Sequence, residues 1–366
     1  MTKEINLIAV ADKFTHQGQV VAIQSLGNGN INETFLVTLN CAKLQHFVLQ
    51  RINTQVFRQP ELVMQNMRIV TDHVGDRLKD SPVNRPWKFP RVLSTEDSQD
   101  LWLDENGRCW RAISFVENAQ CFDTLEDSYR ASEVGYALGM FHHLISDLPP
   151  TKLADTLPGF HITPLYLQQY EDILAKTHPH LSPEVNYCLQ FVTDRTSFVD
   201  ILATAISKGK LPLRLIHGDP KINNVLFDRG THKAVSLIDL DTVKPGLIHY
   251  DIGDCVRSGC NPLGEETQYW EKVDFNTELC KLILQGYLAV AQGFLTENDY
   301  TYIYDAIRLI TFELGLRFFT DYLAGNIYFK VKYPEHNLAR ALVQFKLTES
   351  IESQETTIRQ IIRDLR

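Results

Sequence analysis

The stretch LRLIHGDPKINNVLFD, residues 213–228, sets His217, Asp219, Asn223, Asn224 and Asp228 between an apolar lead-in and an apolar exit. Fifteen residues after Asn224, Asp239 ends a second apolar run within AVSLIDLD. Moving a phosphoryl group from ATP to a hydroxyl needs a carboxylate that orients and deprotonates the acceptor, and oxygen ligands that hold magnesium against the phosphates. Asp219, at a loop apex, suits the first task. Asn224 and Asp239 suit the second, because magnesium takes hard oxygen donors and keeps several waters, so two side chains suffice. His217 is expected to be a scaffold residue whose ring bonds nearby backbone. Asp and Asn are also ordinary turn formers. What favours chemistry over a plain turn is the second element, an isolated Asp closing the next apolar run in a strand-loop-strand context.

Such a set needs rigid neighbours. LRLI, NVLF and AVSLID are short apolar bursts broken by polar turns, the signature of strands. Upstream, VVAIQSL, ETFLVTL and HFVLQRI alternate β-branched or aromatic residues with polar ones and predict three strands between Val20 and Ile52. GNGNIN joins the first two, a Gly/Asn cluster able to take positive φ. Leu62, Met64, Ile69, Val70 and Val74 recur near helical spacing over residues 61–78, a Pro-rich loop runs from Ser81 to Pro90, and PRVLST and RCWRAISFV predict two further strands. Beyond Asp127 long helical patterns dominate, among them YRASEVGYALGMFHHLI and YIYDAIRLITFELGLRFFTDYL. The expected class is α+β. A sheet carrying one main helix fills residues 1–116, a larger and mainly helical part fills 117–366, and the hinge lies within Glu117 to Thr124.

The totals narrow the partners. Of 366 residues 44% are hydrophobic and 22% charged, an ordinary globular composition with room for two cores. The formal charge of −9, with no Lys/Arg run, argues against a nucleic-acid binder. Seven cysteines without paired spacing point to reduced thiols rather than a disulfide frame or zinc site. The N-terminal apolar run is too short for a signal peptide and no stretch reaches membrane-span length, so a cytoplasmic protein without membrane partners is expected.

HGDPKINNVLFD and LIDLDTVKPG resemble the catalytic and metal loops of the aminoglycoside phosphotransferase and choline kinase superfamily, and YALGMFHHL resembles the helix before that catalytic loop. The likeness is closest to N-acetylhexosamine 1-kinases, through GNGNINETFLVT, FVLQRIN, YDIGDCVRS and FELGLRFFTDYLAGNIYFK as well. It implies a bilobal protein-kinase-like fold with an N-terminal antiparallel sheet lobe. It also implies ATP and Mg²⁺ as cofactors, Asp219 as base in contact with the acceptor, and Asn224 and Asp239 on the metal.

On the nucleotide side the resemblance implies roles for Gly27 and Gly29, whose backbone would approach the phosphates, although a plain hairpin turn also explains GNG. Where a protein kinase carries Lys on its third strand this chain offers Arg51, and arginine is not an automatic equivalent. Its usual Glu partner is missing from the helix interior, where Gln65 and Asn66 stand, and Glu61 lies only at the helix start. Glu117, at the start of the hinge, is the remaining nucleotide-side candidate. On the acceptor side the likeness implies that Arg317 and Tyr328 bond sugar hydroxyls, and Asp254 joins them. If YDIGDCVR is helical, Asp251, Asp254 and Arg257 share a face, which helix capping and a salt bridge explain equally well. The expected activity is phosphoryl transfer to an alcohol, most concretely the anomeric hydroxyl of an N-acetylhexosamine, by a monomer or homodimer. The alternatives are an aminoglycoside or other small-metabolite phosphotransferase, or a non-catalytic nucleotide-binding regulator.

Overall fold

Alternation in the first strands decides which side chains face which layer. The computed structural model describes residues 6–27, 31–41, 45–80, 85–125 and 127–366. After helix α1 (Leu7–Asp12), strands β1 (Gln19–Ser25), β2 (Glu33–Asn40) and β3 (Gln45–Arg51) run as an antiparallel meander. Helix α2 (Pro60–Asp80) follows, then β4 (Val92–Leu93), β5 (Trp102–Leu103) and β6 (Cys109–Ser114), with β6 laid antiparallel against β3, β4 and β5. Successive strand residues point to opposite faces. Phe47 and Leu49 therefore join Trp110, Val37, Val10 and Phe14 in a small core beneath α1. The other face packs on α2 through Met64, Met67 and Val70.

The second part is built on helices. It runs from β7 (Ala119–Gln120) through α3 (Ser128–Ile145), α4 (Thr163–Leu174), α5 (Pro183–Thr193) and α6 (Ile201–Ser207) to the short strands β8 (Arg214–Ile216), β9 (Val225–Asp228), β10 (Ala234–Leu237) and β11 (Lys244–Gly246). Then come α7 (Ile248–Gly259), α8 (Thr277–Ala291), α9 (Glu297–Thr301), α10 (Ile303–Leu323), α11 (His336–Ser353) and α12 (Glu355–Leu365). β10 pairs with β9 and β9 with β7, while β11 pairs with β8. The α3 and α8 backbones nearly touch, since a Cβ on Gly135 would lie 1.8 Å from the Ile283 carbonyl oxygen and one on Gly286 would lie 2.0 Å from that of Ser132. Only glycine permits that approach.

The α+β class expected from the sequence is the one observed, with an antiparallel sheet lobe followed by a larger, mainly helical part. One expectation is corrected: PRVLST supplies only the two residues of β4, because its pairing with β6 is confined to Val92 and Leu93. Within 117–124, Ala119 and Gln120 pair with Asp228 and Phe227 of β9. Among the described residues no cysteine is joined in a disulfide, and no helix is long and apolar enough to cross a membrane.

Candidate active site

The segment between β8 and β9 is held by a carboxylate that touches its backbone. Asp251, buried on α7, accepts the amide N–H of His217 at 2.6 Å and of Gly218 at 2.8 Å. His142 of α3 donates to the same carboxylate at 2.8 Å and meets Tyr287 of α8 at 3.0 Å. Burial raises Asp251, but His142 and the His217 amide outweigh it and hold it below the usual carboxylate value. Gly218 takes φ +86°, and a Cβ there would lie 2.7 Å from the Thr242 carbonyl oxygen, so the turn before Asp219 requires glycine. The His217 ring bonds the Ile238 carbonyl through Nε2 at 2.9 Å and accepts the Asp219 N–H at Nδ1, at 3.3 Å. That arrangement fits a neutral ring, in keeping with burial that lowers His217.

Asp219 follows on this platform. Lys221 donates to its Oδ2 at 2.7 Å, and the Asn224 amide donates to its carbonyl oxygen at 2.7 Å. Burial alone would lower Lys221, but Asp219 and Asp239 hold its ammonium above the ordinary value. Asp239 follows β10, tied in by the Ile238 N–H to the Asn224 carbonyl at 2.9 Å. Its backbone is left-handed at φ +67°, which Asp tolerates better than most side chains. Burial and the carboxylates of Asp241 and Asp219 push Asp239 up to about 7. Its side chain is crowded by protein yet open to solvent on one side, so water tempers the burial and the neighbouring charges are the more durable cause. The structure thus gathers Asp219, Asn224 and Asp239 around one point, with Lys221 among them.

The sheet lobe meets this site through residues that the sequence reading passed over. Asp241 forms a buried ion pair with Arg111 of β6 and accepts Asn32 Nδ2 at 2.6 Å. Arg111 also holds the Gln50 amide oxygen at 2.7 and 2.9 Å. Asn32 accepts the Asn53 N–H at 2.9 Å. Arg51 is not brought to the cleft. It lies across from Trp110 on the α1 face of the sheet and pairs with Glu33, because strand alternation gives the cleft side to its neighbour Gln50, opposite Arg111. Glu61 is exposed at the start of α2 and no ion pair joins it to Arg51. Gly27 has φ +69° and open space around it, as a loop approached by a ligand needs, whereas Gly29 lies outside the described residues. Glu117 bonds His46 Nδ1 at 2.7 Å and lines a cavity of about 510 Å³ with Trp87, Lys88 and Phe115. That cavity contains none of Asp219, Asn224 or Asp239.

On the opposite side, Asp254 is buried on α7 beneath Arg257, which donates to its Oδ1 from Nε and Nη2 at 2.9 and 2.7 Å. Burial and the nearby Asp219 raise Asp254 despite that partner. Arg317 of α10 stands among four rings, 5.0 Å from Tyr166, 5.2 Å from Phe160, 5.5 Å from Phe329 and 5.9 Å from Tyr328. Among the described residues no carboxylate forms an ion pair with it. His161, at φ +64°, links this side to the loop: its Nδ1 meets Glu313 at 2.9 Å and its Nε2 the Gly218 carbonyl at 2.9 Å. Lys221 and Asp241 could have been noticed beside the residues singled out. Arg111, Asn32 and His161 carry no local signal, because their partners are distant in the chain.

Residues 22–271 match the pattern of the family described as phosphotransferase enzyme family (APH). Among solved structures, an aminoglycoside phosphotransferase from Alicyclobacillus acidocaldarius superposes with a TM-score of 0.60 at 16% identity, covering 100% of this chain and 98% of that one. A microcompartment-associated aminopropanol kinase gives 0.63 at 15%, over 96% and 98%. A choline kinase from Cryptosporidium parvum gives 0.54 at 15%, over 98% and 95%. At these identities the likeness is one of fold.

Proposed function

Because the chain belongs to the phosphotransferase enzyme family, we propose that it moves the γ-phosphoryl group of ATP to the anomeric hydroxyl of an N-acetylhexosamine. The observation that carries this reading is the Asp219 carboxylate, mounted on a clamped backbone and flanked by Lys221, Asn224 and Asp239. In this reading Asp219 receives the acceptor's hydroxyl proton. Lys221 keeps that carboxylate oriented and places positive charge beside the reacting oxygens. The Asn224 amide nitrogen is engaged by Asp219, which leaves its amide oxygen for a cation. The donor set fits magnesium: hard oxygens from Asn224 and Asp239, with an excess of negative charge that already crowds Asp239. Among the described residues no group of three or more His, Cys, Asp or Glu could hold a metal alone, as expected where phosphates and water complete the shell. When bound, the ion would neutralise the phosphate charge.

A neutral sugar suits the acceptor side better than a polycationic antibiotic. Arg317 presents a guanidinium with no ion-pair partner among the described residues, set among aromatic rings, which repels cations and can bond hydroxyl or acetamido oxygens. Tyr328 and Asp254 would supply further polar contacts. On the nucleotide side the backbone at Gly27 would approach the phosphates. An ATP-consumption assay over N-acetylglucosamine, N-acetylgalactosamine, kanamycin, choline and homoserine tests the reading. Turnover is expected with an N-acetylhexosamine, and none with either hexosamine would overturn it. Asp219→Ala should lower kcat by about 10³-fold or more while ATP binding persists.

A further inference from the structure

Helix α7 carries Asp251, Asp254 and Arg257 three residues apart, so all three share one face. The first clamps the loop of Asp219. The second has an unusual allocation of its oxygens. Both bonds from Arg257 fall on Oδ1, while Oδ2 is buried with no hydrogen-bond partner. A buried carboxylate oxygen without a donor is costly, which makes it a place where an incoming hydroxyl is favoured. It also stands within electrostatic reach of Asp219, Lys221 and His161.

Arg257 is itself buried and oriented from outside the helix. Its Nη1 donates to Glu265 Oε2 at 3.1 Å. Glu265 is a third exposed and belongs to the segment between α7 and α8. The next residue, Glu266, is gripped by Lys332 at 2.8 Å, His336 at 3.0 Å and Arg340 at 2.8 Å. Two adjacent glutamates thus fasten this segment to α7 on one side and to α11 on the other. The strap supplies the acceptor that Arg257 Nη1 faces outside the helix.

We propose that Glu265 and Arg257 are positioning residues, a relay from the strap that aims the free oxygen of Asp254 at a hydroxyl of the acceptor. The relay rests on the reading of Asp254 as an acceptor contact and adds what sets its direction. A strap outside the first contacts then tunes which sugar is accepted, without touching it.

The test is a double-mutant cycle on the full chain, with N-acetylglucosamine as probe and folding checked by thermal melt. Glu265→Ala should raise KM for the sugar about fivefold and leave KM for ATP within about twofold. Asp254→Asn should raise KM for the sugar about tenfold or more. In the Asp254→Asn background the Glu265→Ala change should add nothing, because the group it aims is gone. A structural role alone would give additive effects. An unchanged sugar KM in Glu265→Ala, or an undiminished effect of that change in the Asp254→Asn background, overturns the relay. An unchanged sugar KM in Asp254→Asn removes the acceptor reading beneath it instead.

Discussion

At Asp239 three features meet: a left-handed backbone, a crowd of carboxylates and a place beside Asn224. Its carboxyl is raised on folding from the ordinary 3.8 to about 7. A raised acid contributes stability below its unfolded value and loses it as pH climbs through the folded one, so at neutral pH and above the ionised group weighs against the ligand-free fold. Asp239→Asn keeps a side chain that tolerates positive φ and removes the repulsion. We expect its melting temperature without ligand at pH 8 to rise by roughly 1–3 °C, read by calorimetry, while turnover is lost. His161 behaves differently. Burial alone would lower it, but Glu313 on one ring nitrogen and the Gly218 carbonyl on the other raise it above the ordinary 6.5. Its stabilisation is complete below about pH 6.5 and drains away as pH rises through the folded value. His161→Asn should therefore destabilise more at pH 6 than at pH 9 in urea titrations. The stretch around Asp219 was legible because its groups lie a few positions apart. Asn32 and Asp241 are 209 positions apart and no local pattern joins them.

Among the elements, legibility followed length and periodicity. α3 and α10 were read almost to the residue, since 18 and 21 residues of helical spacing leave little ambiguity. β5 and β7 escaped because two residues carry no period, and β11 because its Lys-Pro-Gly sequence reads as a turn rather than a strand. Arg51 illustrates a finer limit: the strand was evident, but which face meets the cleft depends on where α1 packs. The tight crossing of α3 and α8 is equally invisible in one sequence. It matters because α3 supplies His142 and α8 supplies Tyr287 to the clamp on Asp251. Gly135→Ala would drive a methyl into the Ile283 carbonyl. We expect a loss of about 3 kcal/mol or more in chemical denaturation, from overpacking at a site where backbone cannot yield.

The whole molecule is joined across its cleft by Asp241, which ties Arg111 and Asn32 of the sheet lobe to the loop of Asp239. Asn32 belongs to the Gly/Asn stretch between β1 and β2, so this bond couples that connection to the loop of Asp239, and in the proposed reading it couples the nucleotide side to the metal side. Asn32→Ala should raise KM for ATP by about three- to tenfold with little change in sugar KM, measured by steady-state kinetics. The connection between the lobes has its own consequence. Asn118 and β7 are already stitched to β9, by the Arg229 N–H to the Asn118 carbonyl and the Ala119–Asp228 pairing. Residues 115–117, between β6 and β7, carry no ladder pairing, so any movement of one lobe over the other is expected there. In deuterium exchange, amides at 119 and 120 should exchange at the same rate whether or not nucleotide is present, while those at 115–117 should change rate when nucleotide binds.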